Sequence, residues 1–123
     1  VTKTIMIVDD SATMRSLVMS YLTEIGEFDV AEAASGFDAL KLLPTRPIDL
    51  ILTDINMPNI NGLELISFVR NNPLYRDIPI VVITTEKGEE DRRRGLTLGA
   101  NDYIVKPFTA ADLRSALERA KLA

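Results

Sequence analysis

Leu50-Ile51-Leu52-Thr53-Asp54 decides how the rest of the chain is read. A near-continuous run of Leu and Ile, without an alternating polar face, suits a strand buried on both sides in a parallel sheet. The run ends on an acid. Outward from it the same form recurs: Thr4-Ile5-Met6-Ile7-Val8-Asp9 upstream, Ile78-Pro79-Ile80-Val81-Val82-Ile83-Thr84 and Asp102-Tyr103-Ile104-Val105-Lys106 downstream. Val30-Ala31-Glu32-Ala33-Ala34 departs most from the pattern, because a glutamate interrupts it.

Helical patterns fill the intervals. Met14, Leu17, Val18, Tyr21, Leu22 and Ile25 fall on one face of a helix closed by Gly26. Phe37 to Leu43 gives a shorter helix that stops before Pro44. Leu63 to Val69 is opened by Asn61-Gly62, and Glu89 to Leu98 ends at Gly99. Ala110, Leu113, Ala116, Leu117 and Ala120 form the last, with Thr109 as cap and Asp112 three residues on. Five βα units in series predict an α/β fold, a doubly wound five-stranded parallel sheet with five helices and right-handed crossovers. They consume all 123 residues, so one domain over 1–123 is expected, signalling through its own surface.

Composition narrows the chemistry. Apolar residues make up 46% and charged residues 26%, ordinary for a folded domain. The net charge of −4 argues against nucleic-acid binding as the main task. Without Cys or His the chain has no thiolate zinc site, no Ser-His-Asp triad and no phosphohistidine of its own. No apolar run is long enough for a membrane span and no signal peptide opens the sequence, so a cytoplasmic location is expected. Neither GxxxxGK[ST] nor GxGxxG is present to form a phosphate loop.

Ligands of open α/β sheets bind beyond the carboxyl ends of the strands, at the switch point of the topology. Four of the five runs place a reactive residue there: Asp9 with Asp10, Asp54, Thr84 and Lys106. The second run, ending near Ala34 and Ser35, does not. If the strand order is 2-1-3-4-5, already known for flavodoxin-like proteins, three carboxylates converge in one cleft. Their repulsion is relieved by a hard divalent cation, and Mg²⁺ suits carboxylates, a carbonyl, waters and phosphate oxygens. Lys106 adds a positive charge and Thr84 a hydroxyl donor, so the set can cradle a phosphoryl group with Asp54 as nucleophile. Singly, each residue is more simply a strand-end charge or a β-former; at matching strand ends they make a site.

At this point the sequence resembles the receiver domain of two-component response regulators, and within it the stand-alone chemotaxis type. The resemblance covers the whole chain. It rests on Val8-Asp9-Asp10-Ser11, Asp54-Ile55-Asn56-Met57-Pro58 with Asn61-Gly62, Val82-Ile83-Thr84, Gly99-Ala100-Asn101-Asp102-Tyr103 and Lys106-Pro107-Phe108. The resemblance implies that Asp54 is the phosphoacceptor and that Asp9, Asp10, Asp54 and the carbonyl of Asn56 form the Mg²⁺ site. It implies that Thr84 and Lys106 engage the phosphoryl oxygens, and that Tyr103 turns inward when Thr84 is drawn toward them. In the family the bond before Pro107 is cis. Asn56 and Glu86 match positions that tune dephosphorylation, whereas Thr85 stands where the chemotaxis type carries Ala. Implied partners are a sensor histidine kinase as donor and a target on the face of the fourth helix, fifth strand and fifth helix, with the flagellar motor switch as the leading candidate.

Other readings fit less of the chain. A phosphorelay intermediate or a receiver cut from a longer regulator shares every motif. A hydrolase with an aspartyl-phosphate intermediate needs an acid two residues beyond the nucleophile, where this chain has Asn56. A flavodoxin-like carrier needs a hydroxyl-rich first turn, where Asp9-Asp10 repels a flavin phosphate. The expectation is therefore a regulator rather than an enzyme. On the fourth helix, Glu89 with Arg93 and Glu90 with Arg94 are expected as i,i+4 ion pairs of a solvated face.

Overall fold

The computed structural model describes residues 2–85 and 88–122. Strands β1 (Lys3–Val8), β2 (Phe28–Ala33), β3 (Leu50–Asp54), β4 (Ile80–Thr85) and β5 (Asp102–Lys106) alternate with helices α1 (Ala12–Ile25), α2 (Gly36–Leu42), α3 (Gly62–Asn71), α4 (Glu89–Leu98) and α5 (Ala110–Arg119). The strands pair in parallel in the order β2-β1-β3-β4-β5, which bears out the expected sheet.

The two-residue alternation of strand side chains sorts the core into two halves. Met6, Val8, Ile51, Ile80 and Val82 pack with Ala39 of α2 and Leu63, Leu65, Ile66 and Val69 of α3. Ile5, Ile7, Leu50, Leu52, Val81, Ile83 and Ile104 pack with Val18 and Leu22 of α1 and Leu113, Ala116 and Leu117 of α5. The central strands β1, β3 and β4 are covered on both faces, hence their unbroken apolar runs. Strand β2 lies at the edge, and its mixed burial explains why its sequence alternates with polar residues.

The Thr109 cap and the Asn61 helix opening fall where the sequence places them, and Ser11 adds a cap it did not single out. Ser11 caps α1 through Met14 N–H, while Asn61 with Glu64 and Thr109 with Asp112 form reciprocal capping boxes. Some boundaries differ. β2 begins at Phe28, because its ladder to β1 starts at Lys3. β4 begins at Ile80, after the proline that has no N–H to give. Pro44 does not end the second helical segment outright but sits in a single 3₁₀ turn, Leu43–Thr45. The α4 ion pairs are i,i+3, Arg92 with Glu89 at 3.9 Å and Arg93 with Glu90, rather than i,i+4. The Lys106–Pro107 bond is cis.

Arg70 of α3 ties three connections together. Its guanidinium donates to the carbonyls of Gly99 (2.9 Å), Arg76 (2.9 Å) and Ile78 (2.7 Å) and to Oδ1 of Asn101 (2.8 Å). Asn101 Oδ1 also accepts the N–H of Ile80, the first residue of β4. Removing the guanidinium strands several acceptors at once. Arg70→Ala is expected to destabilise the fold by about 2–4 kcal/mol, read as a drop in the urea midpoint with unchanged slope.

Candidate functional site

The parallel register carries the strand ends to one rim. Val8 pairs with Thr53 and Asp54 with Ile83, so Asp9 and Asp54 emerge side by side just beyond the last rung between β1 and β3. One ligand oxygen from each of Asp9, Asp10 and Asp54 lies within 4.8 Å of the others. Asp9 is buried, Asp54 is half-buried and Asp10 is exposed. The cleft therefore runs from a desolvated floor to an open mouth.

Each buried carboxylate is held by one oxygen. Asp9 Oδ1 accepts the N–H of Ser11 at 2.9 Å, and Asp54 Oδ1 accepts the N–H of Ile55 at 2.8 Å. The second oxygens face Lys106, whose Nζ lies 3.6 Å from Asp54 Oδ2 and 3.9 Å from Asp9 Oδ2. These separations give charge attraction without a hydrogen bond. Asp9 Oδ2 is buried without any hydrogen-bond partner. Burial pushes the Asp9 carboxyl above its ordinary range, and the charges of Asp54 and Asp10 push the same way. The Ser11 N–H and Lys106 oppose them.

Gly62 is fixed by this rim. Its N–H donates to the carbonyl of Ile55 at 2.9 Å, and a Cβ there would overlap the carbonyl oxygen of Asp54 and come within 2.8 Å of Ile55 Cα. Only glycine lets α3 start so close to the phosphoacceptor candidate.

The other expected site residues fall around this centre. Thr84 is buried at the end of β4, and its hydroxyl donates to the carbonyl of Thr85 at 3.3 Å rather than into the acid cleft. The space beside that hydroxyl exists because position 88 is glycine; a Cβ there would overlap it. Thr85 is exposed at the strand terminus, and Asn56 is exposed in the loop between β3 and α3. Glu86 lies outside the described residues. Tyr103 does not reach the cleft. It stands on the opposite side of β5 from buried Ile104, 36% exposed, with the Arg92 guanidinium 4.6 Å above its ring.

Two residues at the rim escaped the sequence reading. Arg15 of α1 donates to the carbonyl of Asp9 at 2.6 Å and, through Nε, to Glu32 Oε1 of β2 at 3.1 Å. The signal was present: Glu32 is the lone charge that breaks the second apolar run, one rung before the strand end.

The comparisons agree with this geometry. Residues 5–118 match the response regulator receiver domain family. The chain is 44% identical over 115 residues to a chemotaxis protein CheY homolog of Campylobacter jejuni, covering 93% of this chain and 88% of that protein. It is 43% identical to chemotaxis protein CheY1 of Helicobacter pylori, covering 93% of each. Among solved structures, chemotaxis protein CheY4 of Vibrio cholerae superposes with a TM-score of 0.89 at 34% identity, covering 98% of this chain and 99% of that one. The receiver domain of NtrX from Brucella abortus gives 0.87 at 30% identity, covering 94% and 96%. With its sheet order, its acid-lined rim and these relatives in accord, the chain belongs to the response regulator receiver domain family and is homologous to the CheY chemotaxis regulators.

Proposed function

We propose that residues 1–123 form a receiver domain that accepts a phosphoryl group on Asp54 from a sensor histidine kinase, with Mg²⁺ held by Asp9, Asp10, Asp54 and the carbonyl of Asn56. The observation that carries this is the meeting of three carboxylates and one lysine at the switch point of the sheet. A carboxylate oxygen without a partner, raised toward protonation by burial and then by its acidic neighbours, is what a hard cation relieves. The donor set is all oxygen with one exposed member, which fits Mg²⁺ and its retained waters.

An Asp54 carboxylate oxygen attacks phosphorus, an O–P bond forms, and the bond from phosphorus to the donor nitrogen breaks with a proton returned to that nitrogen. Bound Mg²⁺ supplies neutralisation of the phosphoryl oxygens. Lys106 neutralises one of those oxygens from the side of β5, where its Nζ already faces Asp54. The Ile55 N–H keeps the Asp54 carboxylate from rotating out of the cleft. Thr84 must give up its bond to the Thr85 carbonyl to donate to the phosphoryl group, and Tyr103, whose partner across the ladder is Val82 on the same face as Thr84, would follow it. Thr85 and Asn56 line the approach and set, with Glu86, how readily water returns.

The output read most readily is chemotaxis through a flagellar motor switch protein docked on the α4, β5 and α5 face. Its support is the similarity to chemotaxis regulators across most of the chain. A cytoplasmic location belongs to the same reading; among the described residues no helix is long and apolar enough to cross a membrane.

Incubation with a small acyl-phosphate donor and Mg²⁺ should add the mass of one phosphoryl group to the intact protein. The addition should vanish in Asp54→Ala and when EDTA is present; an adduct that persists in Asp54→Ala sinks the assignment. A flagellar motor switch protein should bind the phosphorylated chain more tightly than the unmodified one, and equal binding assigns the output elsewhere. The raised Asp9 carboxyl has a signed consequence. Its protonated form favours folding below the ordinary carboxylate range, and that contribution is lost as pH rises through the folded value. At pH 7, without metal, Asp9→Asn should therefore melt higher than the parent. It should also gain less from added Mg²⁺ in the same thermal melt.

A further inference from the structure

Strand β2 is expected to bring no reactive residue to the rim, yet it holds Asp9 directly through Ala33 and indirectly through Glu32 and Arg15. The Asp9 N–H donates to the carbonyl of Ala33 at 3.0 Å. The Asp9 carbonyl accepts from Arg15 at 2.6 Å, and Arg15 is in turn bonded to Glu32 at 3.1 Å. That carbonyl belongs to the peptide joining Asp9 to Asp10. With its plane fixed, the position of the Asp10 Cα is fixed as well, since the peptide is rigid, and the Ser11 N–H bond to Asp9 Oδ1 narrows the turn that Asp10 occupies. Among the described residues, the Asp10 side chain has no hydrogen bond or ion pair of its own, and it is exposed, so its placement depends on the backbone that carries it. Arg15 itself is well placed to hold a geometry, being only 16% exposed and rooted in the second turn of α1 by its own N–H to the Ser11 carbonyl.

We propose that Arg15, oriented by Glu32, is a positioning residue for the acid pair: it locks the Asp9–Asp10 peptide so that Asp10 stays turned toward Asp9 and Asp54. Three carboxylates repel, and a free peptide would let the exposed one swing away. Holding them together beforehand removes the ordering cost from cation binding. The proposal rests on the Mg²⁺ reading above and adds to it a residue that touches no ligand oxygen of the cluster.

Charge and geometry predict opposite signs here, which makes the test decisive. If Arg15 acted only as a positive charge near the cluster, its removal would strengthen cation binding. As a positioning residue its removal must weaken it. Mg²⁺ is titrated by calorimetry into the full chain and into Arg15→Ala, Arg15→Lys and Glu32→Gln. Arg15→Ala is expected to bind Mg²⁺ about tenfold more weakly, as loss of a group behind a metal ligand commonly does. Arg15→Lys should fall between it and the parent, because an ammonium lacks the fork that serves two acceptors. Glu32→Gln should lose about twofold, since an exposed ion pair adds little and the amide oxygen still accepts. In the metal-free protein, amide exchange at Ser11, whose N–H is held by Asp9, should quicken in Arg15→Ala while the central strands keep their protection. Unchanged or tighter Mg²⁺ binding by Arg15→Ala overturns the proposal, as does unaltered exchange at Ser11. A parent chain that takes up no Mg²⁺ removes the metal reading itself, an outcome distinct from variants that bind as the parent does.

Discussion

Like-charge crowding at the carboxyl rim of the sheet is the constraint on which the rest of the molecule turns. Asp9, Asp10 and Asp54 bring oxygens within 4.8 Å of one another, one of them buried and unpartnered. A protein free to relax would spread these groups. Here the parallel ladders forbid it, because β1 and β3 are neighbours in register and end together. The surrounding groups hold the strain rather than dissolve it: two main-chain N–H groups grip one oxygen each of Asp9 and Asp54, and Lys106 stands off both at ion-pair distance. Such a site is left with unspent attraction for a cation and for an anion riding on it.

The same logic explains why the core is so plain and the rim so specific. With helices on both faces, the central strands have no polar surface to offer except at their ends. Function is pushed to a few terminal residues whose positions follow from the register. Glycines then appear where backbone must come close: Gly62 beneath the Asp54 carbonyl and Gly88 against the Thr84 hydroxyl. Gly99, at φ 122°, ends α4 in a conformation a side chain would strain.

What was legible in the sequence follows the same division. The buried strands announced themselves as apolar runs, and their terminal residues Asp9, Asp54, Thr84 and Lys106 were legible with them, since strand direction alone sends them to one rim. Caps were legible because they are local chemistry, as at Thr109 with Asp112. The rest was not, because it depends on distant elements meeting. Nothing within ten residues of Arg70 foretells that it will gather Gly99 and Asn101. Glu32 read as a flaw in a strand, because its partner Arg15 comes from the preceding helix and the strand's edge position was unknown. The α4 pairs missed by one residue, since i,i+3 and i,i+4 neighbours compete on a helix surface and side-chain reach decides between them.

Arg92 and Tyr103 show how finely the proposed switch would have to be balanced. A guanidinium over an exposed tyrosine ring holds the ring outward by only about 0.5–1 kcal/mol. A hydrogen bond from Thr84 to a phosphoryl oxygen is charge-assisted, worth about 1.5–3 kcal/mol, against the neutral bond to the Thr85 carbonyl that it replaces. Net of the neutral bond given up, the gain is of the same order as the latch, so in the proposed switch phosphorylation would shift the balance of both side chains. In that switch the latch would favour the outward ring of the unphosphorylated chain by only a few-fold. A much stronger contact at Arg92 would hold the surface fixed in either state, and none at all would let it wander without a signal. In a domain whose core barely deforms, a weak exposed contact is where such an equilibrium can be set.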